Sequence, residues 1–176
     1  MRKLSFAVYP CMFSLMLVMS APAASLFNLG ANWKYFVGTQ EASTPQTAWR
    51  AIVFDDSTWT SGNAPIGYGE PDIVLPAVPT ATLSVYHRKT FVISDPAQIT
   101  RLDLTIRIDD GFVAWINGVQ VGRTNVPDGE LAWNAAAPLA LEPTTHVLTI
   151  TDLGSILVAG TNVVAIHAIN QSSASS

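Results

Sequence analysis

The side chains able to do chemistry fall into three groups. Acids come as close neighbours, Asp55-Asp56, Glu70 with Asp72, and Asp109-Asp110. The histidines are His87, His146 and His167, and three aromatic residues, Trp59, Tyr68 and Trp133, sit in stretches that read as loops. Paired acids could cleave a glycosidic bond, which needs carboxyl groups facing one another about 5 to 9.5 Å apart. Adjacent residues on an extended chain point to opposite sides, so Asp109 and Asp110 suit that task poorly. They suit a corner better, because Asp closes turns through Asx-type hydrogen bonds. Hard oxygen ligands would also suit calcium, at Asp109-Asp110 or at Asp55, Asp56, Glu70 and Asp72, although acidic loops of this kind are more often solvated turns.

The histidines lack the H-E-x-x-H pattern or any other close pairing of a zinc site, and His87 and His167 lie within strand patterns, which reads as packing. No G-x-S-x-G elbow occurs, so a serine hydrolase of the common α/β type has no nucleophile. "GYGEPD" (67 to 72) begins like a nucleotide loop, but Pro71 falls where a helix should run and no third glycine follows. The sequon Asn170-Gln171-Ser172 arises easily by chance. The aromatic residues carry more. Flat rings stack on the apolar faces of sugars while a few polar groups take the hydroxyls, so Trp59, Tyr68 and Trp133 are the candidate ligand-binding residues. Against this, a loop tryptophan often plugs the end of a small β-core, while Trp33 and Trp115 read as core residues. No residue is assigned to catalysis or to a metal.

These residues must be positioned by strands. Eleven prolines, eleven glycines and many Val, Ile and Thr cut the chain into short runs without helical period, which predicts an all-β fold. In "RLDLTIRID", Leu102, Leu104, Ile106 and Ile108 alternate with Asp103, Thr105, Arg107 and Asp109, the pattern of a half-buried strand. Further strands are expected at 33 to 38, 84 to 93, 112 to 117, 119 to 123, 146 to 151 and 162 to 170, and a short helical turn at Thr47 to Ala51. Asn117-Gly118 predicts a type I′ hairpin turn. With a second turn at Asp110-Gly111, residues 101 to 123 read as a three-stranded meander.

Residues 1–24 read as an export signal: Arg2 and Lys3, an apolar run from Leu4 to Met19, and the small-residue cleavage pattern Ala21-Pro22-Ala23. The run is interrupted by Tyr9-Pro10 and is shorter than the ~20 residues that span a bilayer. Cys11, inside it, is the only cysteine, so residues 25–176 would be held by their core without disulfides. All 13 acids and seven of the nine basic residues follow residue 24, a net charge of −6 that disfavours nucleic acid.

The runs "WRAIVFDDSTWTSGNAPIGYG", "YHRKTFVI", "LDLTIRIDDGFVAWINGVQVGR" and "LVAGTNVVAIHAIN", in this order over residues 31 to 170, resemble the galactose-binding-domain-like β-sandwich. They are similar in particular to its versions in large secreted bacterial proteins and in the sugar-binding domain of the β-galactosidase family. The resemblance implies an antiparallel jelly-roll sandwich, non-catalytic and attached to an enzyme or surface protein. Family members continue past the last strand, so the chain is expected to be a C-terminally truncated domain lacking its closing strand. The resulting expectation is a secreted, extracellular, periplasmic or cell-surface module that binds carbohydrate or glycoprotein and positions a neighbouring domain. The alternative is a spacer or protein-interaction domain without a ligand of its own, since the fold hosts both.

Overall fold

The structure, a computed structural model, describes residues 25–28, 30–68 and 78–174. Eight strands are present among them: β1 Asn32–Val37, β2 Thr60–Asn63, β3 Ser84–Ile93, β4 Leu102–Ile108, β5 Gly111–Ile116, β6 Val119–Thr124, β7 Thr144–Ile150 and β8 Gly160–Ile169. They form an antiparallel sandwich of a six-stranded sheet, ordered β2-β1-β3-β8-β5-β6, and a two-stranded sheet, β4-β7. The chain changes sheet on entering β4, β5, β7 and β8, the crossing pattern of a jelly roll. The all-β antiparallel sandwich read from the sequence is thus present. The helical turn is a 3-10 turn at Ala48–Arg50. Among the described residues no helix is long and apolar enough to cross a membrane.

Seven of the eight strands lie where the sequence reading places them. The eighth, β2, has the sequence TSGN, without apolar residues to alternate, and exists because it pairs with β1 from Asn32↔Asn63 to Tyr35↔Thr60.

The meander needs correction. Asn117 (φ 52°) and Gly118 (φ 85°) do form the left-handed corner between β5 and β6, as the hairpin requires. The strand before them, however, belongs to the other sheet: β4 pairs only with β7, from Leu102↔Ile150 to Ile108↔Thr144. The reason lies in the two patterns. Every residue of β5 is buried, with Phe112, Ala114 and Ile116 facing one way and Val113 and Trp115 the other, so it must sit inside a sheet covered on both faces. In β4 only Leu104 and Ile106 are buried while Asp103, Thr105 and Arg107 are exposed, which fits a sheet with one wet face.

Asp109 and Asp110 therefore turn the chain from one sheet to the other. The Asp109 Oδ1 accepts the Asp110 N–H at 2.9 Å, the local bond expected of such a corner. Asp110 does more. It is buried, holds φ at 54°, and its two carboxylate oxygens accept backbone N–H groups of Leu141 and Gln171, each at 2.7 Å. It ties three distant segments together.

The sandwich interior, between the sheets, is aliphatic at its centre and includes Leu104, Ile106, Ile116, Ile150, Val164 and Ile166 with Phe112. The opposite face of the six-stranded sheet is covered by irregular chain, residues 39–59 and 125–143, over Trp49, Trp59, Tyr86, Val113, Trp115 and Ile169. Trp33 and Trp115 are buried as expected.

Candidate functional site

Loops of this second covering present the aromatic residues to solvent or withhold them. Trp59 is withheld. Only 6% exposed, it lies with its ring centroid 5.6 Å from Phe36, 5.7 Å from Phe54 and 6.3 Å from Trp49, and so plugs the core. Tyr68 is half-buried against Tyr35, Val78 and Val85, and its hydroxyl donates to the Thr82 carbonyl at 3.3 Å and accepts from Asn170 Nδ2 at 3.0 Å. Trp133 is half-exposed and lines an open groove of about 370 Å³ together with Val37, Gly38, Thr39, Ala81, Thr82 and Leu83. Tyr68 and Trp133 thus converge on Thr82, while Trp59 stands apart from them.

Trp133 is held from both sides of its own backbone. Its N–H donates to Glu41 Oε1 at 3.1 Å, and its carbonyl accepts the Ser84 hydroxyl at the start of β3. Gly38, just past β1, permits this approach, because a Cβ there would collide with Ser84 Oγ and stand 3.0 Å from the Trp133 carbonyl. The rest of the loop is fastened too. Gln46 Nε2 donates to the Leu131 carbonyl at 2.9 Å, the Ala137 N–H donates to Asn170 at 3.0 Å, and Arg50 grips Glu130 with both terminal nitrogens. The guanidinium carbon of Arg50 in turn lies over Trp115, 3.8 Å from the ring centroid. A ring on such a loop loses little further freedom when it meets a ligand.

Beneath the loop is a polar cluster sealed by aromatic rings. Tyr86 stacks on His167 at 4.0 Å and 12°, and Trp49 meets both rings edge-on. Neither nitrogen of His167 has a hydrogen-bond partner. Burial, and then the nearby charge of Arg50, push the His167 pKa down to about 3. Burial also holds His87 at about 4, partly offset by backbone groups of Ile166 and Val85. The Tyr86 phenol is raised by burial and by the Glu41 carboxylate. Both histidines are therefore neutral packing residues, as their strand positions suggest. His146 lies edge-on to Phe112 at 5.4 Å.

Among the described residues, the acids named from the sequence do not converge on a cleft. Asp56 binds Arg88 at 2.8 Å. Asp55 accepts the Ser57 N–H at 2.9 Å, and this hydrogen bond keeps its carboxyl below the usual range. Glu70 and Asp72 lie outside the described residues. Among the described residues no three His, Cys, Asp or Glu side chains gather as metal ligands would. Sequence reasoning missed Glu41 and Ser84, which clamp Trp133, and Thr39 and Thr82, which line its groove. Only the glycine at the end of β1 hinted at a close approach there.

No protein-family model matches the chain, and no curated protein does. Among solved structures it is similar to a β-glucuronidase of an uncultured Clostridium sp., with a TM-score of 0.52 and 15% identity over 86% of this chain and 24% of that one. A Faecalibacterium prausnitzii β-glucuronidase gives a TM-score of 0.52 and 12% identity over 85% and 22% of the two chains. A calcium-binding mutant of Bacteroides uniformis β-glucuronidase 2 gives 0.49 and 20% over 81% and 14%. The chain spans less than a quarter of each of these proteins, and at these identities the likeness to the first two is one of fold.

Proposed function

We propose that the chain is a non-catalytic, carbohydrate-binding-like module of a larger exported protein, and that it holds a glycan at the Trp133 groove so that a neighbouring domain acts nearby. One observation carries this reading: a half-exposed indole on a loop clamped by Glu41 and Ser84, beside a groove large enough for a sugar ring. The commitment of the acids supports a binding role, since Asp56, Asp110 and Glu130 are engaged with Arg88, backbone N–H groups and Arg50. The fold likeness supports attachment to something larger, because the similar part is 22–24% of two proteins named as β-glucuronidases. Residues 1–24, outside the described part, would direct export.

A glycan array probed with the full chain tests the module. Binding that disappears in Trp133→Ala is the expected result, and an array that stays blank would refute it. N-terminal sequencing of exported protein should begin near Ala24 or Ser25. The rival reading, a spacer without its own ligand, is favoured by the burial of Trp59 and by the hydroxyl of Tyr68 being spent on Thr82 and Asn170. It predicts equal array signals for the parent chain and Trp133→Ala.

A further inference from the structure

We infer that the Trp133 groove takes an uncharged saccharide and rejects uronic, sialylated and sulfated ones; this rests on the glycan-binding reading and narrows its ligand. Among the described residues the lining is Val37, Gly38, Thr39, Ala81, Thr82, Leu83 and Trp133, without a cationic side chain. A carboxylate or sulfate buried there would lose its hydration without gaining a charge partner, which costs several times what an unpaired hydroxyl costs. The acidic residue that the structure ties to the groove offers an anion no positive partner. Glu41 accepts the Trp133 backbone N–H directly, and its other oxygen is enclosed near the Tyr86 phenol.

The cations of this region are engaged elsewhere. Arg50 is held by Glu130 and Trp115, and Arg88 by Asp56 and three backbone carbonyls. The net charge of −6 over residues 25–176 adds a general repulsion. What the groove does offer is an apolar wall with Trp133 in it, the hydroxyl of Thr39, and the Thr82 hydroxyl, which donates to the Pro79 carbonyl at 2.7 Å and keeps its lone pairs to accept. That set complements a sugar ring bearing hydroxyls alone. Thr39 is exposed at the rim, so its side chain can be changed without disturbing the packed loop.

The test is an NMR titration of the full chain, following the indole N–H signal assigned to Trp133 by its loss in Trp133→Phe. The probes are the methyl pyranosides of glucose, galactose and mannose, set against methyl glucuronide and methyl galacturonide. At least one neutral glycoside should shift the signal with an affinity ten-fold or more above that of either uronide. Thr39→Lys should then improve uronide binding at least three-fold. Uronides that bind as well as or better than the neutral sugars would overturn the charge inference and leave glycan binding standing. A Thr39→Lys variant with unchanged uronide affinity would also overturn it, by placing the ligand elsewhere. A signal that none of the five glycosides moves would overturn the inference and the glycan-binding reading together.

Discussion

One face of the six-stranded sheet is covered by a second sheet and the other by loops, and the two coverings hold by different forces. Between the sheets, Leu104, Ile106, Ile116, Ile150, Val164 and Ile166 are packed by strands whose backbone polar groups are paired along the ladders. Under the loops there is no such ladder, so side chains must satisfy the backbone. Arg88 donates to the carbonyls of Trp49, Ala51 and Phe54, Asn125 to those of Asp110 and Leu139, and Gln46 to that of Leu131. The aliphatic face is stabilised by area removed from water, and the aromatic face by a few irreplaceable polar anchors. That difference explains why the groove lies on the loop side: only irregular chain can leave a ring such as Trp133 half-exposed while its backbone is fixed.

The contrast is put at risk most severely by Arg88→Met, which keeps bulk but removes the anchor. It should destabilise the protein by about 3–5 kcal/mol, because Asp56 and three carbonyls lose a buried charged partner. Urea unfolding measures this, and a loss under about 1 kcal/mol would mean that water replaces the guanidinium. Next comes Ile106→Ala between the sheets, expected to cost about 3 kcal/mol from lost transfer energy and the cavity left behind. Here the near-ultraviolet circular dichroism of the tryptophans should survive, whereas Arg88→Met should weaken it. If both variants change that signal alike, the two faces are one cooperative unit in their packing as well as in their unfolding.

Acid should distinguish the faces by a graded loss rather than a single step. His167, under the loops, and His87 stay neutral in the folded protein at pH values where the unfolded chain takes up protons. Stability is therefore fully present above pH 6.5 and falls as the pH is lowered toward about 4, by about 1.4 kcal/mol per pH unit for each histidine. His167→Phe should halve that slope, read from urea midpoints between pH 6.5 and 5. The smallest effect belongs to Trp133→Ala. Its ring is half-exposed and its hydrogen bonds come from the backbone, so thermal unfolding should register a loss of only about 1 kcal/mol while ligand binding vanishes.

How far the sequence foretold this molecule differs between the same two regions. Alternation placed β4 and β8 to within a residue or two, and Asn117-Gly118 marked its corner, because strand faces and turn conformations depend on neighbours in the chain. Trp59 and Trp133 looked alike in sequence, each an aromatic residue in a predicted loop. One is a plug, as its family-like run Asp55-Asp56-Ser57-Thr58-Trp59 implies, and the other lines an open groove, which nothing within a few residues of it foretells. Asp110 likewise read as a turn residue, but its carboxylate is spent on Leu141 and Gln171, 31 and 61 residues away.

The sequence by itself determined that this chain makes strands, where most of them run, which of their sides are apolar, and that no disulfide holds residues 25–176 together. Tertiary structure alone decided that β4 leaves its neighbour β5 for the other sheet, that Arg88 and Arg50 become buried anchors, and that Trp133 faces a groove. Strand and turn preferences arise from sterics over one to four residues, whereas pairing partners, burial of a charge and exposure of a ring depend on which distant segments close over them.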